Sequence, residues 1–248
     1  KCSYKPALLW LAAAWCVQTA AATFDDIQFW VGTGPNRAAL VLDWNDNKSP
    51  ESLLWGFRWD GNATGLDMLQ AVVTADPRLF AHSGKPGPFG VPLYGIGYDA
   101  NADGFFDVSP QLGFDSNGWS VGDPDDLRAA VDAADHWAEG WNLGFWGYNL
   151  KTSPEDSWTS AMAGPSGRTL SDGAWDGYSF APGFSFSEPS EPMPAPVPEP
   201  APVALLFLGG CGLIWVCARR HAPLSANRDR VGRMCLQTGS VCEPPPSV

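Results

Sequence analysis

The residues best spaced for chemistry form an oxygen-rich loop, Asp99-Ala-Asn101-Ala-Asp103-Gly104-Phe-Phe-Asp107. Side-chain oxygens stand at loop positions 1, 3, 5 and 9, with glycine at 6. Alternate side chains turn inward and the glycine permits a sharp bend, an arrangement that suits a hard cation such as calcium. Position 12 is Pro110, so the bidentate carboxylate expected there is missing, and Asp115 is the substitute farther along. The expectation is a calcium site on Asp99, Asn101, Asp103 and Asp107 that stiffens the loop. The plainer alternative is an Asp/Asn-rich turn.

Tryptophan supplies the second kind of chemistry. Ten of the thirteen lie in the central body, spread over many segments, which favours a core role for most of them. Buried indoles contribute large apolar area and seek a partner for their N–H. On a strand of period two, Trp55, Phe57 and Trp59 share one face, with Gly56 and Arg58 on the other. The sharper alternative is a stacking platform for a sugar or a flat macrocycle, with Trp55, Trp59, Trp141 and Trp146 as ligand-binding residues. Arg58, Asp60 and Asp176 would then orient the ligand.

Signs of catalysis are sparse. Ser166 in Gly164-Pro165-Ser166-Gly167 lacks the second glycine of a nucleophile elbow. His136 and Glu139 make half of a metal motif with no second His/Glu pair beside it. Acidic residues are numerous, so a glycosidase-like carboxylate pair stays open as a third reading. No catalytic residue is assigned.

Charge narrows the partners. Residues 23–200 hold 25 Asp and Glu against 8 Lys and Arg. Such a body repels phosphate backbones, so nucleic acid is not expected, and it attracts cations. All six cysteines fall outside 23–200, so the body uses neither disulfides nor thiols.

The elements that must position these residues are mostly strands: 27–33, 38–44, 53–59, 93–98 and 140–150, with 175–186 alternating like a terminal strand pair. Residues 64–76 read as a helix, with Thr64 and Asp67 as a capping box and Leu66, Leu69, Val72 and Val73 as its apolar face. A second short helix is expected over 125–137. The fold class is α+β, mainly β: a single domain of antiparallel sheet with one or two short helices.

The two ends read as targeting segments. In 1–22, Lys1 and Lys5 precede an apolar run and Ala20-Ala21-Ala22, the layout of a signal peptide. Residues 188–202 carry seven prolines in fifteen positions, which predicts an extended polyproline linker. An uncharged apolar stretch, 203–218, then leads to Arg219-Arg220-His221, as in a short membrane helix with a cytoplasmic basic cluster. The tail 222–248 has no periodic pattern and reads as disordered.

Pro198-Glu199-Pro200, the apolar helix and Arg219-Arg220 together resemble the PEP-CTERM sorting signal. The resemblance implies recognition by an exosortase, a membrane protease-transpeptidase of Gram-negative bacteria that make extracellular polysaccharide. The family ends just after its basic cluster, whereas this chain continues to Val248. The phrases Ala38-Ala39-Leu40-Val41-Leu42-Asp43-Trp44, Trp55-Gly56-Phe57-Arg58-Trp59-Asp60-Gly61 and Gly173-Ala174-Trp175-Asp176-Gly177 resemble uncharacterised secreted proteins, some with the same sorting tail. That likeness implies one domain and no particular activity.

The resulting division is 1–22 signal peptide, 23–187 Trp-rich acidic extracellular domain, 188–202 linker, 203–221 sorting helix with basic cluster, and 222–248 tail. The expected function is a non-enzymatic surface or extracellular-matrix protein, sorted by exosortase, membrane-anchored through 203–218 and acting through structure or binding. Extracellular polysaccharide is the expected surrounding partner. The alternative is a domain binding a glycan or a corrinoid-like macrocycle, since the helix 64–76 and the aromatic strand 141–148 are similar in pattern to the transcobalamin-like β-domain. An enzyme acting on polysaccharide comes third.

Overall fold

A computed structural model describes residues 21–199. The expected signal segment up to residue 20 and everything from Pro200 onward, including the expected helix 203–218, Arg219, Arg220 and the tail, lie outside the described residues.

The longest strands grow from the most apolar runs. Trp30–Gly32 (β1), Asn36–Asp43 (β2) and Ser52–Trp59 (β3) are followed by one α-helix, Gly65–Ala75 (α1). Leu79–Ser83 (β4), Leu93–Tyr98 (β5), Val108–Ser109 (β6), Trp119–Val121 (β7), Ala129–Ala130 (β8) and His136–Glu139 (β9) make up the middle of the chain. Gly144–Lys151 (β10), Thr159–Ser160 (β11), Ala174–Pro182 (β12) and Met193–Pro194 (β13) complete it.

The main sheet runs β1-β3-β2-β12-β10-β11, with β13 also paired to β3. A second sheet runs β7-β4-β5-β9, and β6 pairs with β8. The architecture is mainly β with a single α-helix among the described residues, but the sheets are mixed rather than antiparallel. β2 pairs antiparallel with β3 yet parallel with β12, and β1, β13 and β7 also add parallel neighbours.

β2 is buried on both faces, which explains why it reads Ala-Ala-Leu-Val-Leu instead of alternating with polar residues. Ala38, Leu40 and Leu42 join Trp55, Phe57, Trp59, the helix residues Met68, Leu69, Val72 and Val73, and Ile96 and Tyr98 of the second sheet. Ala39 and Val41 face the other way, into a smaller cluster with Ile27, Leu54 and Trp175, flanked by Trp30 and Trp158. Trp55 and Trp59 are therefore core residues, 0% and 6% exposed. On the opposite face of β3, Arg58 lies over the Trp30 ring at 4.7 Å. Gly56 leaves room for that same indole, because a Cβ there would sit 2.3 Å from its Cε3.

The helix starts where its cap sits: Thr64 accepts from Asp67 N at 3.1 Å and the Asp67 carboxylate accepts from Thr64 N at 2.8 Å. Leu66 is only half-buried, and Met68 takes its place on the apolar face.

Three expectations need correction. Residues 125–137 form turns and short strands, not a helix. Asp125 accepts from Leu127 N at 3.0 Å and Asp132 from Ala134 N at 2.8 Å, so the aspartates bond nearby backbone in turns that compete with a helix. The run 175–186 contributes one nine-residue strand, β12, rather than a pair. The proline-rich segment is not a free linker from its start. Ser190 N donates to Asp43 at 2.7 Å, β13 pairs with β3, and Ala195 N donates to Leu54 O at 2.9 Å.

Candidate functional site

A cleft of about 430 Å³ opens between the loop 84–92, the turn after β9 and the strands β10 and β12. Its lining is largely apolar and includes six aromatics: Trp141, Phe145, Trp146, Tyr148 and Tyr178, with Phe89 from the loop. Phe89 is 97% exposed and Trp141 56% exposed, so both stand at the mouth. Trp146 and Tyr178 are buried and form the floor. Phe89 also borders a neighbouring hollow with the fully exposed Met162.

Each mouth residue is positioned by a turn. Gly87 and Gly90 exchange backbone hydrogen bonds of 2.9 and 3.1 Å, presenting Pro88 and Phe89 at a tip. The turn carrying Trp141 is organised by the Asp126 carboxylate, which accepts from Trp141 N, from Asn142 N at 3.0 Å, from Asn142 Nδ2 at 2.8 Å and from Leu143 N at 3.2 Å. Partial burial pushes the Asp126 carboxyl up, but these donors together outweigh it and hold it at about 2. The sign follows from a folded value below the ordinary 3.8. The contribution to stability is complete above the ordinary value and is lost as pH falls through about 2. Indole emission from Trp141 should therefore shift across that acid window. The shift should be absent from the difference curve of Asp126→Asn, which cannot titrate there.

Behind the mouth lies a buried polar hub. Trp141 packs edge-on to Tyr94 at 5.3 Å, and Tyr94 edge-on to His82 at 5.6 Å. His82 Nδ1 is 2.9 Å from Glu139 Oε1, which also accepts from Arg128 Nη1 at 2.8 Å and Asp125 N at 2.9 Å. Glu139 thus ties together the segments on either side of the Asp126 turn.

The floor has its own polar group. Tyr148 and Tyr178 stack at 4.7 Å. Tyr148 donates a short hydrogen bond to Asp176, which Arg168 Nε also reaches at 3.2 Å. Burial pushes the Asp176 carboxyl above its usual range, although both partners pull it down. The Tyr178 hydroxyl is buried beside Tyr148 and Asp176.

The expected platform residues therefore divide. Trp55 and Trp59 belong to the core and cannot meet a ligand, whereas Trp141 and Trp146 share the cleft. The sequence reading missed Tyr94, Tyr148, Tyr178 and Phe89. The period-two spacing of Trp146 and Tyr148 along β10 would have revealed Tyr148, but nothing local marks the loop 84–92 as its partner.

Elsewhere, Ser166 Oγ accepts from Val91 N at 3.4 Å. His136 is fully buried with Nδ1 3.0 Å from Asp46 Oδ2, so His136 and Glu139 serve different partners. Pro198 is half-exposed and Glu199 exposed at the end of the described residues.

In the oxygen-rich loop, Asp99 Oδ2 accepts from Gly104 N at 2.9 Å, Asn101 Oδ1 from Asp103 N at 3.0 Å and Asp103 Oδ1 from Phe105 N at 2.8 Å. Gly104 has φ +81°, a conformation that favours glycine. Asp107 caps its own neighbour, Val108 N, at 2.8 Å, and Asp115 caps a separate turn through Asn117 N and Trp119 N. A second acidic turn comes to the loop instead: Asp132 Oδ2 accepts from Asn101 Nδ2 at 3.0 Å and Asp135 Oδ1 from Ala100 N at 3.1 Å. Burial pushes the Asp135 carboxyl up; the Ala100 N–H opposes this and the charges of Asp99, Asp132 and Asp103 add to it. Among the described residues, no group of three or more His, Cys, Asp and Glu side chains stands ready-gathered around a metal position.

No protein-family model, curated protein or solved structure matches the chain.

Proposed function

We propose that the body is a non-enzymatic ligand-binding domain of an exported surface protein, and that its cleft takes a small neutral molecule with one flat apolar face, such as a sugar ring. The observation that carries this reading is the convergence of the exposed Trp141 and Phe89 on a cleft floored by the buried Trp146 and Tyr178. An apolar concavity with a few polar groups is the usual form of a small-ligand site, and about 430 Å³ falls within the roughly 300–1,000 Å³ such sites occupy. The acidic body disfavours anionic ligands. Export and sorting by exosortase rest on the Pro198-Glu199-Pro200 motif, the apolar stretch and Arg219-Arg220. A surface rich in extracellular polysaccharide would bring neutral sugar rings to the cleft.

The test is a titration of tryptophan emission with neutral oligosaccharides, with cobalamin as the flat macrocycle. Saturable binding of an oligosaccharide is expected, and Trp141→Ala should abolish it. That exposed substitution should change stability by no more than about 0.5 kcal/mol. Binding of cobalamin alone would move the ligand class to the macrocycle. Saturation by neither, or binding undiminished in Trp141→Ala, would remove the cleft from the function.

A further inference from the structure

We infer that the loop 99–103 and the turn 132–135 together form a calcium site, with Asp99 and Asp135 as its buried carboxylate ligands and Asn101, Asp103 and Asp132 completing the oxygen set. The inference stands independently of the cleft. It departs from the ligand set read along the sequence, because Asp132 and Asp135 are the acids bonded to the loop, through Asn101 Nδ2 and Ala100 N, whereas the side chains of Asp107 and Asp115 bond only backbone close to them in sequence.

Two observations carry it. The first is the pairing of two acidic segments, joined by the hydrogen bonds of Asn101 to Asp132 and of Ala100 N to Asp135. The second is that each buried carboxylate keeps one oxygen without any donor. Asp99 is 2% exposed and its Oδ1 has no partner; Asp135 is fully buried and its Oδ2 has none. A buried carboxylate oxygen that is unpaired carries a desolvation cost, and two such groups beside further aspartates repel one another. Bringing acids together without a cation to neutralise them is unfavourable, and a hard divalent cation with oxygen ligands removes both costs at once.

The remaining donors are side chains now turned onto backbone N–H groups. Asp103 and Asp132 are outside the core and can rotate towards a cation, while the positive φ of Gly104 and of Ala102, at 54°, keeps the loop curled about that position. Lys48 Nζ donates to the Asp135 carbonyl, leaving the carboxylate of Asp135 free of a lysine partner. A cation here would clamp the end of β5 to the segment that leads into β9.

The experiment uses the full chain with calcium alone as the probe. Melting is followed in chelator and in about 10 mM calcium, roughly 100-fold above the tighter end of extracellular affinities. The midpoint should rise by roughly 5–10 °C. Asp99→Asn, Asp132→Asn and Asp135→Asn should lose most of that rise, while Asp107→Asn and Asp115→Asn keep it. A distinctive crossing is expected for Asp135→Asn. Its amide oxygen still accepts from Ala100 N but no longer repels its neighbours, so in chelator it should melt at or above the unaltered chain, and in calcium below it. If Asp135→Asn does not fold, the half-exposed Asp132→Asn carries the comparison, supported by calorimetric titration expected to give one site. An equal midpoint in both buffers for the unaltered chain would overturn the inference. So would a calcium response lost in Asp107→Asn and retained in Asp135→Asn or Asp132→Asn.

Discussion

Trp55→Ala should lower the stability of the body by about 3–5 kcal/mol, the cost typical of removing a large buried aromatic. Trp55 is fully buried, meets the Tyr98 ring edge-on at 6.1 Å and donates through Nε1 to Asp76 Oδ2 at 3.1 Å. Its truncation opens a cavity where β3, α1 and the second sheet meet, and takes one donor from a fully buried carboxylate. Arg78 remains bonded to Asp76 at 2.8 Å, so the carboxylate is not stranded and the loss stays near the cavity value. Against a total of about 5–15 kcal/mol for a domain, that loss moves the urea midpoint far to the left or abolishes folding. Trp59→Ala should behave alike. Arg58→Ala, on the other face of the same strand, should stay within about 1 kcal/mol, since it loses a partly exposed contact with Trp30. A soluble Trp55→Ala protein with an unchanged urea midpoint would contradict the core assignment.

Glu139→Ala should cost a similar amount for a different reason. Glu139 and His82 have fully buried side chains and Arg128 is 13% exposed. Removing the carboxylate leaves the His82 ring, the guanidinium and Asp125 N without their shared acceptor. Deleting one partner of a buried ion pair typically costs about 3–5 kcal/mol. Glu139→Gln keeps an acceptor oxygen and should lose less. The same change should loosen the Trp141 turn, because Asp125 and Asp126 are adjacent and both bond to the 139–143 segment. The check is a pair of melting curves together with Trp141 emission. A Glu139→Ala chain as stable as Glu139→Gln would show that the hub is dispensable.

Sequence and structure agree where the signal is local. The capping box of α1 lies within four residues, and the apolar runs of β2 and β3 declare themselves by composition. The assignment fails where partners decide. Residues 125–137 are rich in alanine and acid, yet Asp125, Asp126, Asp132 and Asp135 each bond a backbone N–H, two of them far along the chain. β4 escaped notice because Leu-Phe-Ala-His-Ser is short and its histidine is paired with a glutamate 57 residues away. The cleft shows the same limit. Trp141 and Trp146 were visible as aromatics, but the facing loop 84–92 and Tyr178 come from remote segments. The acidic loop was legible at Asp99, Asn101 and Asp103, while its neighbours Asp132 and Asp135 were disguised as a helix.

The placing of β12 constrains the order in which the chain can fold. This strand inserts between β2 and β10, with Ala38 beside Ala174 and Ser179 beside Asp43. A polypeptide emerging N-terminus first can form the β2–β3 hairpin early, but one edge of β2 then carries an apolar run with open N–H and C=O groups until β12 arrives. Such an edge is sticky towards other strands. Contacts closed over so long a separation also slow folding. The body is thus a late-closing structure, prone to self-association when its last third is delayed.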